Sequence, residues 1–436
     1  MAKYSFLFLI VTAFLSPLAS AQGNPELDAT TRARVIEGVA AQIEDNFYDS
    51  DTGAQIAAEL RDNLVAGDYD AARDAASLSG LLTETLSPHD NHSAVRYFGP
   101  PSDDGAATVQ GPQSPTDLFD AGRRDNFGFR EVSILPGNVG YIDMRQFFPV
   151  QAGGDTAIAA LNFVKNTDAV IFDMRQNGGG APSMVQLLIS HFLDPTDQVP
   201  INTFLSSNRD YPGELVSLGY LPAGSRPDVP LYVLTSGRSG SAGEAFPYHL
   251  QAMERATIVG ETTYGAGNPG GFFPAAEGFG VFVSTSQTRN PITGTNWEGV
   301  GVEPDIAVPA NDALDTALSL AYGAILETVD DPGQRQSLEW AQEAIDARLN
   351  PSDIDVSQYD DVLGRYGPRE LFVEGGALFY RRGEQPGRQL TPLGDDRFLI
   401  DGLDDYRLTI QRDNDRVVSM ALQQAGGPSD VSARDE

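Results

Sequence analysis

Two stretches of this chain follow one pattern, and that pattern narrows the fold more than any other feature. Ala169-Val170-Ile171-Phe172-Asp173 is an apolar run of strand length, followed by a glycine-rich turn and a helical run from Ser183 to Leu193. Leu231-Tyr232-Val233-Leu234-Thr235 is a second such run, followed by a turn of small residues and a helical run from Ser241 to Met253. Apolar runs this short, without polar alternation, read as strands covered on both faces. Asn138 to Met144 adds a strand and Thr156 to Val164 a helix. Strands alternating with helices predict an α/β core whose strand-end loops carry function.

The flanking sequence differs in character. Val35, Val39, Ile43 and Phe47 are spaced by four, as are Ile56, Leu60 and Leu64, so the chain from Asp28 to about Tyr97 reads as helical. Short strand-like runs between Gly and Asp turns (Glu370 to Val373, Ala377 to Tyr380, Arg397 to Ile400, Tyr406 to Gln411) predict a small β-rich module near the C-terminus. The first residues carry Lys3, an apolar run from Phe6 to Leu15, and Ala19-Ser20-Ala21, the layout of a secretory signal cleaved before Gln22. The expected organisation is a signal over 1–21, a helical domain over 22–98, a linker over 99–124, an α/β core over 125–325, a helical linker over 326–352, a β-rich domain over 353–426 and a frayed tail over 427–436. An exported protein, periplasmic or secreted, follows. No later segment reaches the roughly 18 apolar residues of a membrane span.

Composition removes several classes of function. The chain has no cysteine, which excludes disulfides, thiolate metal sites and a thiol nucleophile. Its 61 acidic and 29 basic residues leave a net charge of −32, the wrong sign for a nucleic-acid partner. The four histidines, His89, His92, His191 and His249, disfavour a multi-histidine metal site. Neither metal nor cofactor is expected, although Asp90 with His89 and His92 could be arranged into a cation site.

Three segments could do chemistry. In Asp173-Met174-Arg175-Gln176-Asn177-Gly178-Gly179-Gly180, consecutive glycines let backbone N–H groups approach an anion; a plain tight turn explains them equally well. In Thr235-Ser236-Gly237-Arg238-Ser239-Gly240-Ser241-Ala242-Gly243-Glu244, Ser241 stands where a turn becomes a helix, so free amides could stabilise negative charge beside its hydroxyl. The competing reading is a capping box, with Ser241 and Glu244 satisfying each other's N–H groups. In Ser87-Pro88-His89-Asp90-Asn91-His92-Ser93, a lone histidine is usually structural, but His92 paired with a serine nucleophile would be a general base.

Taken in order, these segments resemble the tail-specific, or C-terminal-processing, serine peptidases over roughly residues 28–310. The set is Asp-x-His-Ser at Asp90, Asp-x-Arg-x-Asn-Gly-Gly-Gly at Asp173, Thr-Ser-x-x-x-x-Ser-Ala-Gly-Glu at Thr235, then Val259-Gly260-Glu261-Thr262-Thr263 and Trp297-Glu298-Gly299-Val300-Gly301-Val302-Glu303-Pro304-Asp305. The resemblance implies a crotonase-like α/β core and a nucleophile at Ser241. One branch of the family uses a Ser/Lys dyad with the lysine in a Gly-Lys-Gly-like turn. Here that turn is Gly265-Ala266-Gly267, and the only lysines are Lys3 and Lys165. The other branch, similar to the tricorn core and the interphotoreceptor retinoid-binding modules, implies Ser241, His92 and Glu298 as the triad. Asn91 stands where a supporting serine would precede the histidine. The implied oxyanion donors are the N–H groups of Ala242 and Gly179, with Gly178 as second choice. Fewer than 50 residues separate His92 from Val139, too few for the PDZ module of the dyad branch.

The expectation is a serine peptidase that cleaves a peptide or protein substrate through an acyl-enzyme. Two other readings stay open: a non-catalytic binder of an apolar ligand on the same scaffold, and an esterase or amidase with the same triad.

Overall fold

A computed structural model describes residues 24–100, 115–207, 212–350 and 355–435. The proposed signal over 1–21 lies outside them. The described residues form two compact units: those within 24–133, 141–166 and 170–310 make the first, and those within 134–140, 167–169 and 311–435 the second.

The first unit begins with helices Ala29–Asn46, Ser50–Ala66 and Ala75–Leu86. Each starts at an aspartate, Asp28, Asp49 or Asp74, whose carboxylate accepts the N–H three residues on at 2.7–2.8 Å. That bond satisfies one of the amides a helix start leaves open. Val35, Val39, Ile43, Phe47, Ile56 and Leu60 turn inward as their spacing predicts, Leu64 is half-buried, and Leu78 and Leu82 of the third helix join them. They pack not as a separate domain but with Phe279, Val281 and Val283 of strand Phe279–Ser284, which pairs with Val95–Tyr97 and Gly270–Pro274. The separate helical domain over 22–98 is therefore corrected: its helices fill their core with residues from the α/β region. His92 lies between the third helix and strand Val95–Tyr97.

At the centre of the unit is a six-stranded sheet in the order Ile306–Ala307, Thr257–Gly260, Leu231–Thr235, Ala169–Asp173, Val139–Met144, Phe129–Leu135. The first four strands run parallel. Every residue of Val139–Met144, Ala169–Asp173 and Leu231–Thr235 is buried, which explains the apolar runs of the last two. Helices Val150–Phe163, Pro182–Ser190 and Ala242–Ala252 supply the other side of the core through residues such as Ala157, Met184, Leu188, Phe246 and Leu250. Phe246 packs on Phe172 with ring centroids 5.0 Å apart. Truncating so buried an aromatic typically costs about 3–5 kcal/mol. The helix that begins beside Ser241 is thus firmly tied to the sheet.

The expected linker over 99–124 is partly helix, Pro115–Arg123, while residues 101–114 lie outside the described ones. Pro115 opens the helix, a position where proline's missing N–H has no helical partner to lose.

The second unit holds helices Ala313–Leu326 and Pro332–Leu349 and an eight-stranded antiparallel meander from Gly364–Tyr366 to Ser429–Ala433. Two expectations need correction here. Helix Ala313–Leu326 belongs to this unit and not to the α/β core. The tail expected to fray after Gly426 is instead a strand, Ser429–Ala433, paired with Arg416–Gln424. Its Asp430 and Ser432 receive the guanidinium of buried Arg369, an ion that could not sit there without acceptors. Among the described residues no helix is long and apolar enough to cross a membrane.

Candidate active site

Three hydroxyls in the turn after strand Leu231–Thr235 are candidates, and two are committed to backbone. Ser236 donates to the Arg175 carbonyl at 2.6 Å and Ser239 to the Met174 carbonyl at 2.8 Å, lacing this turn to the neighbouring strand end. Ser241 differs. Its backbone has φ 54° and ψ −120°, a conformation an L-residue adopts only at a cost of order 1–3 kcal/mol. A sharp strand-to-helix turn of this kind lifts a serine side chain to the head of a sheet, as in nucleophile elbows.

The capping-box partner is present but does more than cap. The Glu244 carboxylate accepts the N–H of Ser241 at 2.7 Å, the Thr263 hydroxyl at 2.6 Å, and the N–H groups of Gly265 at 2.5 Å and Ala266 at 2.9 Å. Glu244's own N–H bonds the Ser241 carbonyl at 2.9 Å. Complete burial pushes this carboxyl up to about 7, while the bonds from Thr263, Gly265, Ala266 and Ser241 pull it back. Glu244 therefore ties the 263–266 loop to the residue that begins the helix.

The glycine turn meets Ser241 directly. A Cβ on Gly179 (φ 109°) would stand 2.7 Å from the Ser241 Cβ and 3.1 Å from the Ala242 nitrogen, so only glycine allows the approach. Asn177 clasps the two turns together: its Nδ2 donates to the Met144 carbonyl at 2.9 Å and its carbonyl accepts the Gly240 N–H at 3.0 Å. Its Oδ1 takes the Gly179 N–H at 2.9 Å, and the Gly178 N–H goes to the Arg145 carbonyl at 3.3 Å. Both glycine donors expected for an oxyanion are thus occupied. The amides of Gly180 and Ala242 make no hydrogen bond among the described residues, and with Ser241 they line one small cavity of about 40 Å³. Val185, Phe204, Leu215 and Trp297 give that cavity apolar walls.

His92 is held with its backbone N–H on Asp90 Oδ1 at 2.8 Å and its ring stacked on Phe282, centroids 5.0 Å apart. Glu298 accepts the Asn91 N–H at 2.8 Å on one oxygen, and those of Gly267 at 2.5 Å and Asn268 at 3.0 Å on the other. Asn91 reaches the Gly265 carbonyl with its side chain at 3.2 Å, so its support is given to Glu298 and the loop, not to the imidazole. A ring nitrogen of His92 and carboxylate oxygens of Asp90 and Glu298 lie within 4.8 Å of one another. These three are the residues that could hold a small cation; His89 turns away to Glu59 at 2.9 Å.

His92 and Ser241 are not hydrogen-bonded. Both ring nitrogens are shielded from solvent without a partner, and the ring faces a separate cavity of about 130 Å³ shared with Tyr264 and Phe272. The loop Thr263 to Asn268 borders both cavities, with Tyr264 on one and Gly267 on the other. The structure brings His92 to Glu298, and Ser241 to Gly179, Gly180 and Ala242, with no hydrogen bond from the His92 ring to the Ser241 hydroxyl.

Burial lowers the His92 pKa to about 4, against a smaller opposing effect of the Asn268 backbone, so the ring is neutral at pH 7 and able to accept a proton. Burial, then the charge of Glu298, pushes Asp90 up to about 7; burial also raises Glu298. Asp90 Oδ2 has no hydrogen-bond partner. With its folded pKa above the unfolded value, Asp90 contributes stability below about pH 4 that is lost as pH rises through about 7. Asp90→Asn is expected to match the wild type in thermal unfolding near pH 4 and to be more stable at pH 8 by on the order of 1–3 kcal/mol. A difference independent of pH would contradict this assignment.

Residues 138–308 match peptidase family S41, a span that includes the glycine turn, Ser241 and Glu298 but not His92. The carboxy-terminal-processing protease of Bartonella bacilliformis is 26% identical over 278 residues, 62% of this chain and 60% of that protein. The carboxyl-terminal-processing protease of a Picosynechococcus species is 27% identical over 274 residues, 60% of this chain and 63% of that protein. The chain thus spans about three fifths of the length of these relatives. Among solved structures, a photosystem II D1 C-terminal processing protease aligns with a TM-score of 0.38 at 17% identity, covering 64% of this chain and 93% of that one.

Proposed function

We propose that this chain, whose residues 138–308 match peptidase family S41, is an exported serine peptidase that cleaves peptide bonds through an acyl-enzyme. In this reading Ser241 attacks the scissile carbonyl. His92 takes the hydroxyl proton and returns it to the leaving amine, and Glu298 fixes the imidazole and stabilises its protonated form. The oxyanion forms beside the amides of Ala242 and Gly180, the uncommitted donors at Ser241, in place of the Gly179 donor implied by the motif. Crotonase-like topology of the core belongs to the same reading.

The observation that carries the proposal is the backbone of Ser241. A residue that merely caps a helix has extended dihedrals and no need of the strained φ 54°, ψ −120° turn. Two further observations favour it. The dyad alternative has no base, because Ala266, where the lysine would stand, is buried with its N–H on Glu244. The cavity at Ser241, about 40 Å³, is far below the roughly 300–1,000 Å³ of sites that enclose an apolar ligand, which weighs against a passive binder. It suits one substrate side chain as the loop Thr263 to Asn268 shifts. Substrate-driven movement of that loop is what joins the His92 half of the site to the Ser241 half, a closure step common in hydrolases.

The test is incubation of the purified protein with unstructured casein, and with short esters, followed by product mapping. New peptide termini generated at neutral pH are the expected result. Ester turnover alone would reassign the protein as an esterase, and a co-purified lipid with no turnover of any substrate would reassign it as a binder.

A further inference from the structure

A cavity of about 730 Å³ is lined in part by the turn that leads to Ser241, and its walls do not share the sign of the protein. Gly178 and Gly240, the chain neighbours of Gly179 and Ser241, form part of its lining. Arg124, Arg130, Arg145 and Arg238 supply its charge, against one acid, Asp125. In a chain with 61 acidic and 29 basic residues, four cations around one cavity beside the nucleophile candidate is a local reversal.

Of the four arginines only Arg145 neutralises a buried carboxylate; the other three are the cavity's uncompensated charge. Arg145 is held by buried Asp143, its Nε and Nη2 each 2.6 Å from a carboxylate oxygen, so its position is fixed by strand Val139–Met144. Arg124, Arg130 and Arg238 have no carboxylate partner among the described residues; Arg238 touches only the neutral Gln176 side chain, at 3.2 Å. Like charges gathered without counter-ions repel one another, and a concave wall focuses their field outward. A guanidinium fork is best satisfied by a carboxylate, two parallel N–H bonds to two oxygens. The segments involved, 124–130, 145 and 238, come from three parts of the chain and converge only here.

We propose that this cavity is a substrate subsite that takes acidic side chains, so that the enzyme prefers peptides with clustered Asp or Glu close to the bond cleaved. The inference rests on the peptidase reading, with Ser241 lining the narrow apolar slot and its neighbour Gly240 lining the basic cavity. Far from the site the protein's own acidic surface repels such a peptide, and the field of the cavity orients it on arrival.

The experiment compares three peptides sharing one cleavable core: one with four flanking Glu residues as a C-terminal amide, one with Gln in their place as an amide, and the Gln peptide with a free C-terminal carboxylate. Wild type is expected to favour the Glu amide over the Gln amide in kcat/KM by about tenfold at low salt, and less at high salt. In the Arg124→Gln/Arg130→Gln/Arg238→Gln variant that ratio is expected to fall toward one. A ratio near one in wild type, an unchanged ratio in the variant, or a preference seen only with the free terminal carboxylate would each overturn the proposal. Fluorescence anisotropy with the labelled Glu and Gln amides decides the matter even without turnover. Tighter binding of the Glu peptide by wild type, and not by the variant, upholds the subsite while the peptidase reading fails; equal binding removes the subsite. Arg238→Glu alone, a change at an exposed turn, checks that the effect follows charge and not disturbance of the fold.

Discussion

Ser241→Ala is expected to lower kcat/KM for any cleaved peptide by about 10⁴–10⁶ while leaving the thermal unfolding temperature within a degree or two of wild type. The two readings of this residue separate cleanly on that pair of measurements. If Ser241 were a helix cap, its loss would cost about 1 kcal/mol of stability and no rate, because the hydroxyl would serve only to satisfy an amide. The amide that most needs help, that of Glu244, already bonds the Ser241 carbonyl, and the Ser241 N–H is held by the Glu244 carboxylate. Alanine keeps the Cβ, so the positive-φ turn is strained no further. What it removes is the one oxygen beside the open amides of Ala242 and Gly180.

Glu244→Ala is expected to show the opposite balance, a loss of structure first and of rate as its consequence. Four donors converge on that carboxylate inside the protein, three of them backbone amides. Left without an acceptor they cost the desolvation of each group, and a total of about 3–5 kcal/mol is expected, with unfolding of this unit about 6–15 °C lower. Glu244→Gln is expected to be nearly as damaging. Ser241 and Ala266 share one carboxylate oxygen, Thr263 and Gly265 the other, so an amide group turns its NH₂ toward a pair of donors whichever way it lies. Circular dichroism melts of both variants check this. An unchanged melting temperature in Glu244→Ala would mean the carboxylate does not organise the loop.

Much of the sheet was legible in the sequence because burial on both faces leaves a signature no surface strand has: Ala169–Asp173 and Leu231–Thr235 stand out as unbroken apolar runs. The three helix starts are set locally as well, since an aspartate three residues before the amide it caps is a short-range event. Membership of the helices was not. Their inward faces say that something covers them, and only the register of Phe279–Ser284 reveals what. The fate of the C-terminal tail depended on Arg369, some sixty residues earlier, whose buried charge needs Asp430.

In the site, order and spacing of motifs pointed to Ser241, His92 and Glu298, and the structure sets His92 beside Glu298. The roles of individual N–H groups lay out of reach, because they depend on which acceptor each one meets across the fold. Asn177 was visible as a member of its motif, yet nothing local told that its Oδ1 would take the Gly179 N–H and leave Gly180 open. Two adjacent strands both end in Asp-Met-Arg, at Asp143 and Asp173, with each arginine folded back on its aspartate at about 2.6 Å. That repetition is readable in the chain and could have flagged Arg145. The basic cavity could not be read at all, since a net charge of −32 conceals a cluster drawn from three distant segments.

The proposed chemistry requires an imidazole to reach and activate the Ser241 hydroxyl. Its most direct measurement is peptide mapping after reaction with a fluorophosphonate. One phosphonyl adduct, on Ser241, is expected to form in the wild-type protein at neutral pH and to be slowed by about a hundredfold or more in His92→Ala. An adduct on another residue, or labelling of Ser241 at the same rate without His92, would contradict it.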